Sequence, residues 1–279
     1  MKRGAFVIIP ILLIIAACGG AGGSQTQTLN IAYPNTDVVT VNLATITGQV
    51  AVSAGDNAGV HGTTTTNVSA WQSTSSSDAS SVSITQGTAS ADVIPNAQNS
   101  WDIQLGKGTK LILNHTNTTA NTTLNLGGLS LTQLNLTATT GNTTIRYAAA
   151  NASSGATATL QSGNGNFDLA GLSNSQLSSL SLTTQGGSVQ LAFDGGATLA
   201  QNMNVSINTQ SGDVLLKIPS GIAAKITYNS PSGAVLESDP QYTKTDKITY
   251  TVGNYAASDG SRLTIDIRSV VGDLRLAGT

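Results

Sequence analysis

The sequence predicts an all-β protein whose strands recur as the rungs of a solenoid or rack. Two observations carry this expectation. From about residue 100 onward, short runs alternate apolar and polar residues, as in Leu134-x-Leu136, Leu180-x-Leu182, Val205-x-Ile207, Ile226-x-Tyr228 and Leu263-x-Ile265-x-Ile267. A period of two sends successive side chains to opposite faces of a strand and buries one face. Between the runs, Gly141, Gly163, Gly187, Gly212, Gly233 and Gly272 mark turns, and every step but the last falls between 21 and 25 residues. A near-constant step of this size marks stacked units, none of which can bury its apolar face alone. No stripe of 3.6-residue period follows the amino-terminal leader, so almost no helix is expected.

The leader itself occupies residues 1–17. Lys2 and Arg3 precede an apolar run from Ala5 to Ala17, which Pro10 interrupts. Such a run is shorter than the roughly 20 apolar residues of a membrane span and reads as a secretory signal. Ile15-Ala16-Ala17, the expected cleavage region, leads into Cys18, the single cysteine of the chain, and the four residues resemble a bacterial lipobox. Cys18 is therefore expected to carry the lipid, and two or more acyl chains anchor a protein stably where one does not. Residues 18–28, rich in Gly, Gln and Thr, read as a flexible linker from that anchor.

Residues 29–98 are expected to form a small β-rich amino-terminal region. Its strand candidates are Ile31-x-Tyr33, Val38-Val39-Thr40-Val41 and Val82-x-Ile84, around a Thr- and Ser-rich centre at 61–81 that is expected to be loose.

The repeat domain follows over residues 99–279. Leu126-Gly127-Gly128-Leu129-Ser130, running on to Leu134-Asn135-Leu136-Thr137, aligns with Leu169-Ala170-Gly171-Leu172-Ser173, running on to Leu180-Ser181-Leu182-Thr183. The long last step before Gly272 is expected to hold an extra element, with Ile248-x-Tyr250-x-Val252 supplying a strand pair or a loop off the stack. Ser211-Gly212-Asp213 and Val271-Gly272-Asp273 are turn sequences, because glycine reaches positive φ almost freely and Asp supports tight connections. Their carboxylates fall one per rung, whereas calcium wants about six to eight oxygens, so turn structure is the expected role.

Composition narrows the function. The chain of 279 residues is 9% charged, with 12 Lys and Arg against 14 Asp and Glu, so no basic footprint for nucleic acid exists. His61 and His115 lie among Thr and Asn without Asp, Glu or Cys at ligand spacing, and surface loops are expected for both. No Gly-x-Ser-x-Gly elbow is present, and Asp168, Asp194, Asp213, Glu237, Asp266 and Asp273 are spread along the repeats. No catalytic residue, metal or cofactor is expected. The eight Asn-x-Ser/Thr triplets follow from a surface rich in Asn and Thr. Among the aromatic residues, Trp101 is expected to pack against the first rung, while Trp71, Tyr242 and Tyr255 are the candidate interaction residues.

The opening Asn99-x-Trp101-x-x-x-Leu105, the strand Leu111-Ile112-Leu113, the element Leu126-Gly127-Gly128-Leu129 and later Ile218-Pro219-Ser220-Gly221 resemble the bacterial toast-rack families. These include the carboxy-terminal domain of LiaF-like cell-wall-active antibiotic response proteins and domains provisionally named adhesins. The resemblance covers about residues 99–279, and more weakly residues 29–98. It implies an all-β rack, or a right-handed β-helix-like stack, facing the cell envelope. LiaF-like proteins carry transmembrane helices before the rack, and this chain departs from them by its lipobox.

These readings make the protein a non-enzymatic envelope lipoprotein on an extracytoplasmic face, presenting a β-repeat domain for adhesion, scaffolding or interaction with protein or glycan. The expected partners are the membrane, through the lipid, and an envelope protein or surface glycan. The alternative implied by the family is a regulatory component of envelope-stress sensing that acts through a membrane partner.

Overall fold

In a computed structural model that describes residues 23–88, 96–256 and 259–278, the chain forms two large sheets packed face to face. The leader, the cleavage region Ile15 to Ala17 and Cys18 lie outside the described residues, and the end of the linker expected over 18–28 is corrected: Gln25 to Thr28 open the first strand and pair with Thr66 to Thr63. The strands begin with β1 (Gln25–Ile31), β2 (Val38–Thr45), β3 (Gln49–Gly55), β4 (Val60–Thr66), β5 (Ser73–Ser77), β6 (Ser81–Gln86) and β7 (Asn99–Gly106). A regular series follows: β8 (Lys110–Asn117), β9 (Asn121–Asn125), β10 (Ser130–Thr140), β11 (Thr143–Arg146), β12 (Ala156–Asn164), β13 (Phe167–Ala170), β14 (Leu177–Gly186), β15 (Val189–Ala192), β16 (Met203–Ser211) and β17 (Val214–Lys217). The chain ends with β18 (Ala223–Asn229), β19 (Val235–Ser238), β20 (Thr243–Lys244), β21 (Thr249–Val252), β22 (Arg262–Val271) and β23 (Leu274–Ala277). The helical elements among the described residues are two single 3-10 turns, at Ser69–Trp71 and Leu172–Asn174.

Each rung is a long strand in one sheet, a turn and a short strand in the other; most of the turns contain glycine, while the β8–β9 turn is Thr118-Thr119-Ala120. The twelve-stranded sheet runs β20-β21-β18-β22-β16-β14-β12-β10-β8-β2-β6-β5, and the eleven-stranded sheet runs β1-β4-β7-β3-β9-β11-β13-β15-β17-β23-β19. Rung follows rung in parallel register from β2–β3 to β16–β17. The next rung in space is β22–β23, and β18–β19 lies beyond it. The last strands of the chain are thus inserted between two earlier rungs. The segment expected to hold an extra element supplies the antiparallel pair β20–β21, which extends the twelve-stranded sheet beyond β18.

Alternation makes the core. Val41, Leu113, Leu134, Ala158, Leu180, Val205, Ile265 and Ile226 form one inward column of aligned residues, all buried. Two positions along each strand lies a second, which reads Leu43, His115, Leu136, Leu160, Leu182, Ile207, Ile267 and Tyr228. Each fully buried Leu or Ile contributes about 1.5–3 kcal/mol of transfer free energy, so the stack is held by repetition. Where each long strand tapers into its turn, the inward residue becomes small: Ala138, Ser162, Thr184, Thr209 and Ser269 stand in register. Thr184 and Thr209 use that position to donate to the turn carbonyls of Gly186 and Ser211, at 2.7 and 3.0 Å.

The turns stack as closely as the strands. A Cβ built on Gly165 would lie 2.1 Å from the carbonyl oxygen of Gly141, one on Gly187 would lie 2.4 Å from that of Gly165, and one on Gly212 would lie 2.1 Å from that of Gly187. Only glycine fits at these three positions, whereas the equivalent place in the β8–β9 turn is taken by Ala120. This corrects the turn expected at Gly163: that residue belongs to β12, and Gly165 takes the stacked position. Beside the glycines runs a ladder of side-chain caps. Asn121, Asn142 and Asn166 accept through Oδ1 from the backbone N–H of Asn142, Asn166 and Ser188, at 2.9, 3.1 and 2.8 Å. Asp213 and Asp273 play the turn role expected of them, accepting from Asp273 and Ala234, each at 2.9 Å.

The Thr- and Ser-rich centre at 61–81, expected to be loose, is ordered into β4, a 3-10 turn and β5. β-Branched threonines suit a strand, and their hydroxyls are tied down: Thr64 to Ser73 at 2.8 Å, Ser73 to Gln27 at 2.7 Å and Thr66 to the Gln98 carbonyl at 3.0 Å. β8 pairs with β2, and β7 with β3 and β4, so segments on both sides of residue 98 share each sheet.

Candidate functional site

The outer face of the twelve-stranded sheet is a regular surface built by the long strands of the rungs. Because inward positions are apolar, the intervening residues point outward and align into three columns. The first is Thr40, Ile112, Gln133, Thr157, Ser179 and Asn204; the second is Asn42, Asn114, Asn135, Thr159, Ser181 and Ser206; the third is Ala44, Thr116, Thr137, Gln161, Thr183 and Asn208. All but Ile112 and Ala44 carry a hydroxyl or an amide, and none is charged. With strands about 4.8 Å apart and residues rising about 3.3 Å, these columns cover roughly 24 by 13 Å.

Part of the face is wired internally. Asn114 donates to Asn42, and Asn135 to Asn114, each at 2.8 Å, while Asn42 donates to Ser83 at 3.1 Å and Gln133 to Asn135 at 3.2 Å. An amide both donates and accepts, so an Asn column can propagate along parallel strands with each member satisfied on two sides. Thr116, Thr137, Thr157, Gln161, Ser179 and Thr183 are exposed. Charge returns at the carboxy-terminal end of the face, where Asp266 and Arg268 on β22 and Lys225 on β18 continue the columns.

The candidate residues are not brought together. Trp71 is half-buried in the turn before β5, at the amino-terminal end of the sheet. Tyr255 is half-buried near the other end, with its hydroxyl 3.2 Å from Thr264 Oγ1 and the Arg262 guanidinium 5.5 Å from its ring centre. Tyr242, expected to offer contact from an exposed loop, is only 6% exposed. Its hydroxyl donates to the Ala277 carbonyl at 2.7 Å and accepts from the Ile218 N–H at 3.2 Å, and burial pushes its pKa up to about 12. Tyr242 is therefore a cap for the last rungs. Trp101 packs in the core as expected, at 1% exposure.

Neither histidine lies on a surface loop. His61 is half-buried on β4, with Nε2 3.4 Å from the Ala58 carbonyl. His115 is fully buried on β8, within the Leu and Ile column. One ring nitrogen lies 3.3 Å from the Leu43 carbonyl and the other 3.0 Å from Thr122 Oγ1. Burial pulls its pKa down to about 4. The polar neighbours in sequence hid this, because His115 takes a leucine position and its real partners, Leu43 and Thr122, come from neighbouring strands.

No group of three or more His, Cys, Asp or Glu that could hold a metal ion occurs among the described residues. On the other sheet, Arg146 and Asp168 form an ion pair between adjacent rungs, and Gln190 extends it to Asp168 at 3.4 Å. These bonds tie neighbouring rungs together. No helix of the described residues is long and apolar enough to cross a membrane.

A family model described as the N-terminal domain of toast_rack, DUF2154, matches residues 20–170. Among solved structures, a protein provisionally named for cell adhesion from Clostridium sporogenes is similar at 16% identity and a TM-score of 0.50, over 92% of this chain and all of that one (100%). A provisionally named adhesin from Bacteroides fragilis is 10% identical with a TM-score of 0.44, over 91% of this chain and 97% of that one. A provisionally named lipid binding protein from Parabacteroides distasonis is 11% identical with a TM-score of 0.43, over 92% and 98%. Likeness at such identity speaks to the fold. No curated protein matches the chain.

Proposed function

Since the chain belongs to the toast-rack family, we propose that it is a non-enzymatic envelope protein that presents the outer face of its twelve-stranded sheet for adhesion or scaffolding. One observation carries this reading: in three columns across six successive rungs, hydroxyls and amides align in register with no charged residue within the columns. A flat face of this kind offers many weak, evenly spaced hydrogen bonds, and repetition along a polymer or a layered surface adds them into avidity. The adhesive names borne by similar folds agree with it. Cys18 carries the lipid that holds the rack at the envelope.

The test is capture of wall polymers and envelope proteins in intact cells, comparing the wild type with a Thr137→Lys, Thr159→Lys, Thr183→Lys variant. These side chains point away from the core, so the variant should melt as the wild type does while capture falls at least tenfold. Equal capture by both proteins would remove the face from the reading. Recovery of a membrane kinase by both would favour a regulatory role in stress sensing instead. Replacement Cys18→Ser should move the protein out of the membrane fraction, and retention there would refute the anchor.

A further inference from the structure

A rack with open ends has four edge strands, and the two ends of this one are built differently. At the carboxy-terminal end the edges are β19 and β20. β19 has four residues, carries an irregularity in register between Val235 and Glu237, and runs into Asp239-Pro240. β20 is two residues long and contains Lys244. Short length, bulges, Pro and Lys are the devices by which proteins keep sheet edges from pairing with other chains.

The amino-terminal end carries none of them. Its edges are β1, seven residues of sequence Gln-Thr-Gln-Thr-Leu-Asn-Ile, and β5, five residues of sequence Ser-Thr-Ser-Ser-Ser. Neither strand contains a charge or a proline. β1 pairs with β4 in unbroken antiparallel register from Gln25 opposite Thr66 to Ile31 opposite Val60, and among the described residues it pairs on that side alone. The two edges are joined into one end surface across the sheets: Ser73 Oγ donates to Gln27 Oε1 at 2.7 Å, and Gln72 donates to Gln25.

We infer that this end pairs with the same end of a second copy of the chain. Symmetry selects that occupant. One twofold axis perpendicular to both sheets sets β1 antiparallel to its own copy and at the same time sets β5 antiparallel to its own copy, so both open edges close together. An uncharged edge accepts its own image without like-charge repulsion. The charged, broken edges of the far end do not, which stops the pair from growing into a filament. The inference stands apart from the function proposed above, because it concerns the end of the rack and not its face.

The experiment is sedimentation of the full chain in detergent over a dilution series, with cysteine scanning along β1. Thr26, Thr28 and Asn30 are exposed on one face, and Thr28 is the midpoint of the strand. Facing residues of an antiparallel pair hold their Cβ atoms about 4.5–5.5 Å apart, close to what a disulfide bridges. The wild type should sediment as two copies, and Thr28→Cys should form a disulfide between the two introduced thiols far more readily than Thr26→Cys or Asn30→Cys. A Thr26→Lys, Thr28→Lys variant should halve the mass while remaining folded, and its melting temperature should lose the concentration dependence that pairing gives the wild type. Sedimentation as a single copy at every concentration, a two-copy mass retained by the lysine variant, or equal crosslinking at all three positions would each overturn the inference.

Discussion

The backbone N–H of Asp273 donates to Oδ1 of Asp213 across 2.9 Å, although sixty residues separate the two in the chain. The bond closes the joint where the last strands, β22 and β23, enter between rungs made earlier. Asp273 passes the pattern on by accepting from Ala234. Replacement Asp213→Ala leaves the Asp273 N–H without this acceptor at an exposed turn, so a loss of about 0.5–1 kcal/mol is expected in urea unfolding. Asp213→Asn keeps the acceptor and should lose less than half of that. Equal losses for the two would assign the effect to charge.

Glycine stacking gives a larger effect. Gly212 has φ of 116° and its Cβ would sit 2.1 Å from the Gly187 carbonyl oxygen, whereas Gly108 has φ of 88° with nothing within 4 Å of its Cβ. Both substitutions to Ala place a side chain at positive φ, which costs about 1 kcal/mol, but only Gly212→Ala must also push two rungs apart. Gly212→Ala should cost about 3 kcal/mol or more and Gly108→Ala about 1 kcal/mol, read as shifts in the urea midpoint at constant slope. Similar midpoints would mean that the turn column is not tightly packed.

The rack was legible wherever local rules decide. Leu134-x-Leu136 and Leu180-x-Leu182 lie inward because alternation is a property of the strand, and the outward Asn135 and Ser181 follow at once. Which rungs are neighbours was not legible, because β18–β19 and β22–β23 have the same pattern and only packing decides which lies against β16–β17. The Thr- and Ser-rich stretch misled for a related reason: Thr64 and Ser73 are ordered by each other and by Gln27, and composition contains no trace of that pairing. The outward columns were foreseen as a polar face, but the Asn42–Asn114–Asn135 ladder depends on the register between strands 72 and 21 residues apart.

The buried His115 makes stability depend on pH. In the unfolded chain it titrates near 6.5, and in the folded chain only near 4. Below pH 6.5 the unfolded state takes up a proton that the folded state refuses, so stability falls as pH drops from 6.5 to 4, by about 3 kcal/mol in total. Above pH 6.5 both states are neutral and this contribution is flat. His115→Leu, which restores the residue type of its column, should abolish that part of the pH dependence in thermal melts. An unchanged slope between pH 6.5 and 5 in the variant would place the effect elsewhere.

Tyr242 decides between a cap and a contact residue. Its hydroxyl bridges the Ala277 carbonyl and the Ile218 N–H, and the adjacent Gln241 donates to the Ile218 carbonyl at 2.8 Å. β23 and the end of β17 are thereby held by a loop that arrives from between β19 and β20. Tyr242→Phe keeps the ring and deletes the bridge, leaving the Ile218 N–H and the Ala277 carbonyl with only their own 3.4 Å bond, and should cost about 0.5–1.5 kcal/mol. The loss should be local at first: amide exchange should quicken over Leu274–Ala277 before it does in β10 or β12, since racks open from their ends. Capture of envelope partners should be unaffected at temperatures where the variant is folded. A variant that melted as the wild type does yet captured less would return Tyr242 to the interaction surface, against its burial.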